Sequence, residues 1–286
     1  MAKQRHTWVR LVLGILITLL ALALCCIVPA TSGLRQEEKY VQSRVPTFFL
    51  HGWNGSYLSE MHMVNAIKDA GVSKTAVRVD VDAEGQAQLL AAIPEDATNP
   101  LIEVSLLDKT NADYRLCGTW FKAALEAVRS QYYFDEYKVV AHSMGNMVLL
   151  NYLRDTANDA QRPRLIKQAD LAGNFNGIIG NNDLPNRMTF NEQGLPSPQT
   201  YEFQSLLGLR TTYPDKQVDV LNIFGDLDDG SHSDGNITNA SSQSLRYLLG
   251  GRARTYREIT IHGSQGRHSN LHESDQVDRE LIGFLW

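Results

Sequence analysis

The chain has 286 residues, 43% of them hydrophobic and 21% charged, with 27 basic against 32 acidic side chains and a net charge of -5. That apolar content is too high for a disordered chain, and the acid excess argues against a nucleic-acid partner. The length suits one large domain or two small ones.

The charge is unevenly spread. Up to Arg44 there are six Lys or Arg and two acids, about +4, which leaves about -9 for the remainder. Lys3, Arg5 and Arg10 lead into Leu11–Val28, an apolar run broken only by Gly14 and Thr18. Roughly 20 such residues cross a bilayer as a helix, and a basic flank keeps its end in the cytoplasm. Residues 1–32 are therefore expected to be a signal peptide, cut near Ala30 or Ser32, or an uncleaved membrane anchor. Either fate puts the remainder of the chain outside the cell, tethered to the membrane face or secreted. Cys25 and Cys26 fall within this segment, and Leu22 stands where a lipoprotein signal has a small residue. Cys117 is the sole cysteine beyond it, so no disulfide can form within the domain. CxxC and HExxH metal patterns are absent.

Residues 33–44 read as a polar linker. From Val45 onward, strand-length apolar runs alternate with segments of helical period. Strands are expected at Thr47–Leu50, Thr75–Val81, Leu101–Leu107, Tyr137–Ala141, Leu165–Leu171, Val218–Phe224 and Tyr256–Ile261. Helices are expected at Tyr57–Ala70, Thr119–Tyr132, Met144–Leu153, Ser241–Leu249 and Gln276–Trp286. This alternation implies an α/β fold with a mostly parallel sheet and helices on both faces. Residues 174–214 break the rhythm. They are rich in Asn, Gly and Pro, and a long irregular insertion of this kind suits a cap over a site. The cap's apolar residues, among them Phe175, Ile178, Ile179, Leu184, Phe203, Leu206 and Leu207, could line an acyl site or simply pack the cap onto the domain.

The chemical signal is densest in Val139-Val140-Ala141-His142-Ser143-Met144-Gly145-Asn146. A buried strand runs straight into a helix with Ser143 at the junction. Such a turn pushes the hydroxyl out at the carboxyl end of the sheet and needs small flanking residues, because the strand and helix backbones pass close together. Ala141 stands at the first small position, where Gly is usual. A serine at its ordinary pKa is a poor nucleophile and needs a base, which in turn needs an orienting carboxylate. Asp226, Asp228, Asp229 and Asp234 come after the Val218–Phe224 strand. His262, His268 and His272 come after the last strand, with His262 close to its end. The Asp226-Leu227-Asp228-Asp229-Gly230 run misses the EF-hand spacing by one residue, so no metal is expected.

These segments resemble the α/β-hydrolase superfamily. The sharper resemblance is to a family of membrane-associated cell-surface α/β-hydrolases of Gram-positive bacteria, largely of unknown substrate. It is carried by Phe49-Leu50-His51-Gly52-Trp53-Asn54-Gly55, Ala141 to Asn146, Asn222 to Asp226, Ser233-Asp234-Gly235, His268 to Glu273 and Phe284-Leu285-Trp286, and covers about residues 45–286. The resemblance implies an α/β-hydrolase fold with a cap, Ser143 as nucleophile, and Asp234 as acid from Asp234-Gly235-Asn236-Ile237. It implies His268 as base from His268-Ser269-Asn270-Leu271. The backbone N–H groups of Trp53 and Met144 become the oxyanion donors. Asp226 or Asp228 as acid and His272 as base are the alternatives. The expected activity is cofactor-free hydrolysis of a small-molecule ester or lipid-like substrate. Acyl transfer through the same residues, or a non-catalytic binding protein on the same fold, are the other readings. The oligomeric state stays open.

Overall fold

The computed structural model describes residues 39–286. The expected signal or anchor segment, with Cys25 and Cys26, lies outside the described residues. Among the described residues no helix is long and apolar enough to cross a membrane. Gln42–Trp286 forms one unit.

Its elements alternate as the sequence implies. They run β1 (Thr47–Leu50), α1 (Tyr57–Asp69), β2 (Ala76–Val81), β3 (Ala87–Leu89), β4 (Leu101–Leu106), α2 (Tyr114–Gln131), β5 (Glu136–His142), α3 (Met144–Asp155) and β6 (Arg164–Leu171). The expected cap holds a small hairpin, β7 (Thr189–Phe190) with β8 (Pro196–Ser197), and two short helices, α4 (Tyr201–Ser205) and α5 (Leu209–Thr212). After it come β9 (Asp219–Asp226), α6 (Asn239–Gln243), α7 (Leu245–Leu248), β10 (Thr255–His262) and α8 (Asp275–Leu285).

The sheet has eight strands in the order β10-β9-β6-β5-β1-β4-β2-β3. All pairings are parallel except β2 with β3. This is the α/β-hydrolase fold. β1 and β5 sit at its centre and are buried almost throughout, as strands covered on both faces must be. One cover packs α2 against α3, and the other packs α1 against α8. Phe48 on β1 anchors the first, edge-on to Phe121 and Tyr137 at ring distances of 6.0 Å each. The carboxyl end of α8 is held by two lysines. Lys138 Nζ donates to the Leu285 carbonyl at 2.8 Å, and Lys167 Nζ to that of Phe284 at 2.6 Å. These donors satisfy carbonyls that the last helical turn leaves without intrahelical partners.

Outside the insertion, three elements depart from the sequence expectation by more than a shift of one or two residues at their ends. Helix α2 starts at Tyr114 rather than Thr119, because the Asp113 side chain accepts the N–H groups of Arg115 and Leu116 and caps an extra turn. The Ser241–Leu249 helix is two short helices meeting at Ser244, whose hydroxyl donates back to the Ala240 carbonyl at 2.8 Å. Such back-bonding bends a helix. The edge strand β3 is only Ala87-Gln88-Leu89, too short for its alternation to stand out as a strand. Phe175, Phe203 and Leu206 are fully buried in the core, so these three pack the inserted segment onto the domain rather than line an acyl site.

One buried acid shapes stability. Asp170 on β6 is fully buried, and Gln168 Nε2 donates to both of its oxygens, at 2.8 and 3.0 Å. Burial pushes its pKa up from 3.8 to about 7. The folded state therefore holds this proton where the unfolded chain releases it. That contribution is fully present below the unfolded value and is lost as pH rises through the folded one. From pH 5 to pH 8, the unfolding free energy of the wild type should fall by about 3 kcal/mol more than that of Asp170→Asn, measured by denaturant titration.

Candidate active site

The centre of the site is the bend between β5 and α3. Ser143 sits there with φ 52° and ψ -121°, a conformation a residue with a Cβ adopts at a cost of about 1–3 kcal/mol. Its surroundings impose it. The Ser143 N–H donates to the Leu171 carbonyl at 2.8 Å, and Asn146 Nδ2 donates to the carbonyls of both Ser143 and Leu171 at 2.9 Å. Gly145 lets α3 approach β1, since a Cβ there would lie 2.4 Å from the Leu50 carbonyl oxygen. The serine hydroxyl does not cap the helix.

That hydroxyl instead faces His268. The Oγ–Nε2 distance is 3.0 Å. His268 Nδ1 lies 2.7 Å from Asp234 Oδ2. Asp234 is 1% exposed, and its Oδ1 accepts the N–H groups of Asn236 at 2.8 Å and Ile237 at 2.7 Å. A carboxylate so bonded only accepts, so Nδ1 of His268 carries the hydrogen. Its Nε2 then presents a lone pair to the serine O–H. The His268 N–H also donates to the Asp234 carbonyl at 2.9 Å, fixing the histidine backbone to the acid's own loop. Three residues far apart in the chain thus form one hydrogen-bonded line.

The alternative acids are engaged elsewhere. Asp226 accepts from the Asp228 N–H at 2.9 Å and from Asn239 Nδ2 at 2.8 Å, and it faces His232 Nδ1 at 3.3 Å. Asp228 is bonded to His262 Nδ1 at 2.8 Å. His272 does not reach Ser143; its ring packs 4.8 Å from that of His142. Among the described residues the grouping able to offer three atoms to a metal is His62, Asp275 and Asp278, and none of these lines the Ser143 pocket.

The turn after β1 closes the other side. His51 is buried, and its Nε2 accepts the Leu106 N–H at 3.0 Å. Its Nδ1 therefore carries the hydrogen and donates to the Gly52 carbonyl at 2.8 Å. Burial lowers its pKa and keeps this ring neutral. The same carbonyl accepts the Gly55 N–H at 3.0 Å. In a planar trans peptide the C=O and the following N–H point in opposite directions. Holding the Gly52 carbonyl thus fixes the direction of the Trp53 N–H. Among the described residues neither the Trp53 nor the Met144 backbone N–H is given to a protein acceptor. The Trp53 indole is 59% exposed and donates to the Thr110 carbonyl at 3.2 Å.

A cavity of about 500 Å³ opens on Ser143 and His268. Gly52, Trp53 and Asn54 wall one side, and Ile178 and Ile237 contribute apolar surface. Ile178 is the inserted segment's one contribution to this lining among the described residues. Among the described residues no Lys, Arg, Asp or Glu lines it. Nothing in the sequence singles out Asn146 or His142 for a role at the bend. Asn after a small-x-Ser-x-Gly match is an ordinary helix residue until the bend it braces is seen.

The family described as "Alpha/beta hydrolase of unknown function (DUF915)" matches residues 35–286. Among solved structures, the lin2722 gene product of Listeria innocua is similar at 26% identity and a TM-score of 0.76, over 85% of this chain and 94% of that one. A candidate cell surface hydrolase from Lactobacillus plantarum WCFS1 is similar in fold at 16% identity and a TM-score of 0.66, over 85% and 90%. No curated protein sequence matches the chain.

The tight bend makes a sharp expectation. Gly145→Ala forces a Cβ into the Leu50 backbone and should lower the unfolding free energy by about 2–3 kcal/mol in denaturant titration. Gly283→Ala on α8, where a Cβ meets nothing within 4 Å, is the control and should be neutral or stabilising by up to ~1 kcal/mol.

Proposed function

The chain belongs to the DUF915 family of alpha/beta hydrolases, and from that premise we propose that it is a serine hydrolase that cleaves carboxylic esters through an acyl-enzyme. The observation that carries this reading is the line from Asp234 through His268 to Ser143, with links of 2.7 and 3.0 Å.

In the proposed reaction, Ser143 Oγ attacks the ester carbonyl while His268 Nε2 takes its proton. The imidazolium that forms is stabilised by the buried Asp234 carboxylate through Nδ1–H. The negative charge moves to the former carbonyl oxygen, where the N–H groups of Trp53 and Met144 receive it. A lost donor of this type costs roughly 2.7–4 kcal/mol of transition-state stabilisation. His268 returns its proton to the leaving alcohol, and the acyl group stays on Ser143. Water then attacks the acyl-enzyme and gives its proton to His268, which passes a proton to Ser143 Oγ as the acid departs, restoring both residues. Every proton is accounted for by one imidazole, and the cycle uses no cofactor.

The cavity lining supports a neutral substrate. Trp53, Ile178 and Ile237 offer apolar contact and no formal charge faces an acyl chain. An acyl or lipid-like ester fits that chemistry, and a phosphorylated or carboxylate-bearing one does not. We further propose that residues 1–32 carry the domain to the outer face of the membrane or beyond it. The basic flank and apolar run at the N-terminus support this.

Ser143→Ala should abolish turnover of p-nitrophenyl esters, a loss of at least ~10³-fold in kcat, with circular dichroism unchanged. Equal activity in that variant removes the proposal. Asp234→Asn should retain the fold and lose about 10³–10⁴-fold in kcat, because the amide favours the wrong imidazole tautomer. A fluorophosphonate should label the wild type and not Ser143→Ala.

A further inference from the structure

His142 has no part in the proton transfers above, yet it touches the site on three sides. Its Nε2 lies 3.1 Å from the carbonyl oxygen of His268. Its ring is 4.9 Å from that of His268 and 4.8 Å from that of His272. A Cβ placed on Gly52 would come within 3.1 Å of its Nδ1. One side chain, from the residue before Ser143, thus stands between the turn after β1 and the loop that carries the base.

The protonation of this ring is set by its partners. A carbonyl oxygen only accepts, so Nε2 must carry a hydrogen. The ring is buried, and burial followed by the neighbouring imidazoles keeps its pKa well below the ordinary histidine value. It is therefore a neutral Nε2–H donor.

The base needs such support. His268 sits in the loop after β10, where regular structure is limited to the 3-10 turns Gly263–Gly266 and Leu271–Glu273. Its N–H is anchored to the Asp234 carbonyl. Its C=O is anchored to His142. With both peptide groups held, the imidazole swings only about its own side-chain bonds, and Asp234 limits that swing.

Resting on the serine-hydrolase reading, we infer that His142 is a positioning residue for the base: by donating Nε2–H to the His268 carbonyl and filling the space up to Gly52, it sets the reach of His268 Nε2 to Ser143 Oγ. The bond is made by the strand that presents the nucleophile, so nucleophile and base are registered to each other directly.

The test pairs two variants of the full chain. His142→Phe keeps a ring and removes the donor. His142→Gln keeps an N–H at about the reach of Nε2. His142→Phe should lower kcat on p-nitrophenyl esters about 10-fold with KM within about 2-fold, the scale of one ordinary hydrogen bond. His142→Gln should recover all but about 2–3-fold of kcat. A Phe variant as fast as wild type overturns the role, and so does an equal loss in both variants, which marks mere packing. Nitrogen-15 NMR of histidine-labelled wild type should find His142 neutral with its hydrogen on Nε2 at pH 7. A charged ring or an Nδ1–H tautomer overturns the inference even if the Phe variant fails to fold. Fluorophosphonate labelling of wild type reports the parent reading separately. An unlabelled wild type removes the hydrolase and this role together, whereas a labelled wild type with an unimpaired Phe variant removes only the role of His142.

Discussion

A serine with a positive φ is an unfavourable thing to build, and the architecture around residue 143 exists to hold one. β5 enters the bend from the middle of the sheet, paired with β1 over Lys138–Ala141 and with β6 up to His142. α3 leaves it pressed against the Leu50 carbonyl. Asn146 reaches back to the carbonyls of Ser143 and Leu171, adding a second donor to each. Together these bonds offset the local strain, and the hydroxyl is left with no structural duty. A side chain with no structural duty, aimed into a cavity, is available for chemistry.

The carboxylate half of the site depends on a different part of the chain. The Asp234 loop is tied to the segment between β6 and β9 at several points. Asn236 offers its carbonyl to the Ile179 N–H at 2.8 Å, and Thr238 Oγ1 donates to Asp183 at 2.6 Å. The Ser241 hydroxyl donates to the Gly177 carbonyl at 2.9 Å. The irregular insertion is thus bonded into the loop that carries Asp234. Its large apolar side chains Phe203, Leu206 and Leu209 are buried in the core, which gives it a fixed seat.

How far the sequence led can be read residue by residue. The central strands and α3 were legible because buried parallel strands are continuous apolar runs and the Ser143 turn has a local signature. The helix start at Tyr114 was missed because the capping aspartate sits in a run of polar residues that also reads as a loop. Composition gave no reason to prefer Asp234 over Asp226 or Asp228. All three come after one strand, and only the long-range fold sends Asp226 to Asn239, Asp228 to His262 and Asp234 to His268. For the same reason the apolar residues of the insertion could be named but not divided into those that pack and the one, Ile178, that reaches the cavity. The bracing by Asn146 and His142 was invisible for a related reason: each bonds to a backbone carbonyl, and carbonyls have no sequence.

Cys117 lies on the buried side of α2, where the helix packs against the sheet. Burial pushes its thiol pKa up to about 12, so the nucleophilic thiolate is scarce at neutral pH as well as hidden. In a domain with no other cysteine, alkylation can proceed only when α2 lifts from its seat. The residue is a native reporter of opening, and its alkylation rate over a denaturant series would separate local breathing of that layer from global unfolding without any introduced label.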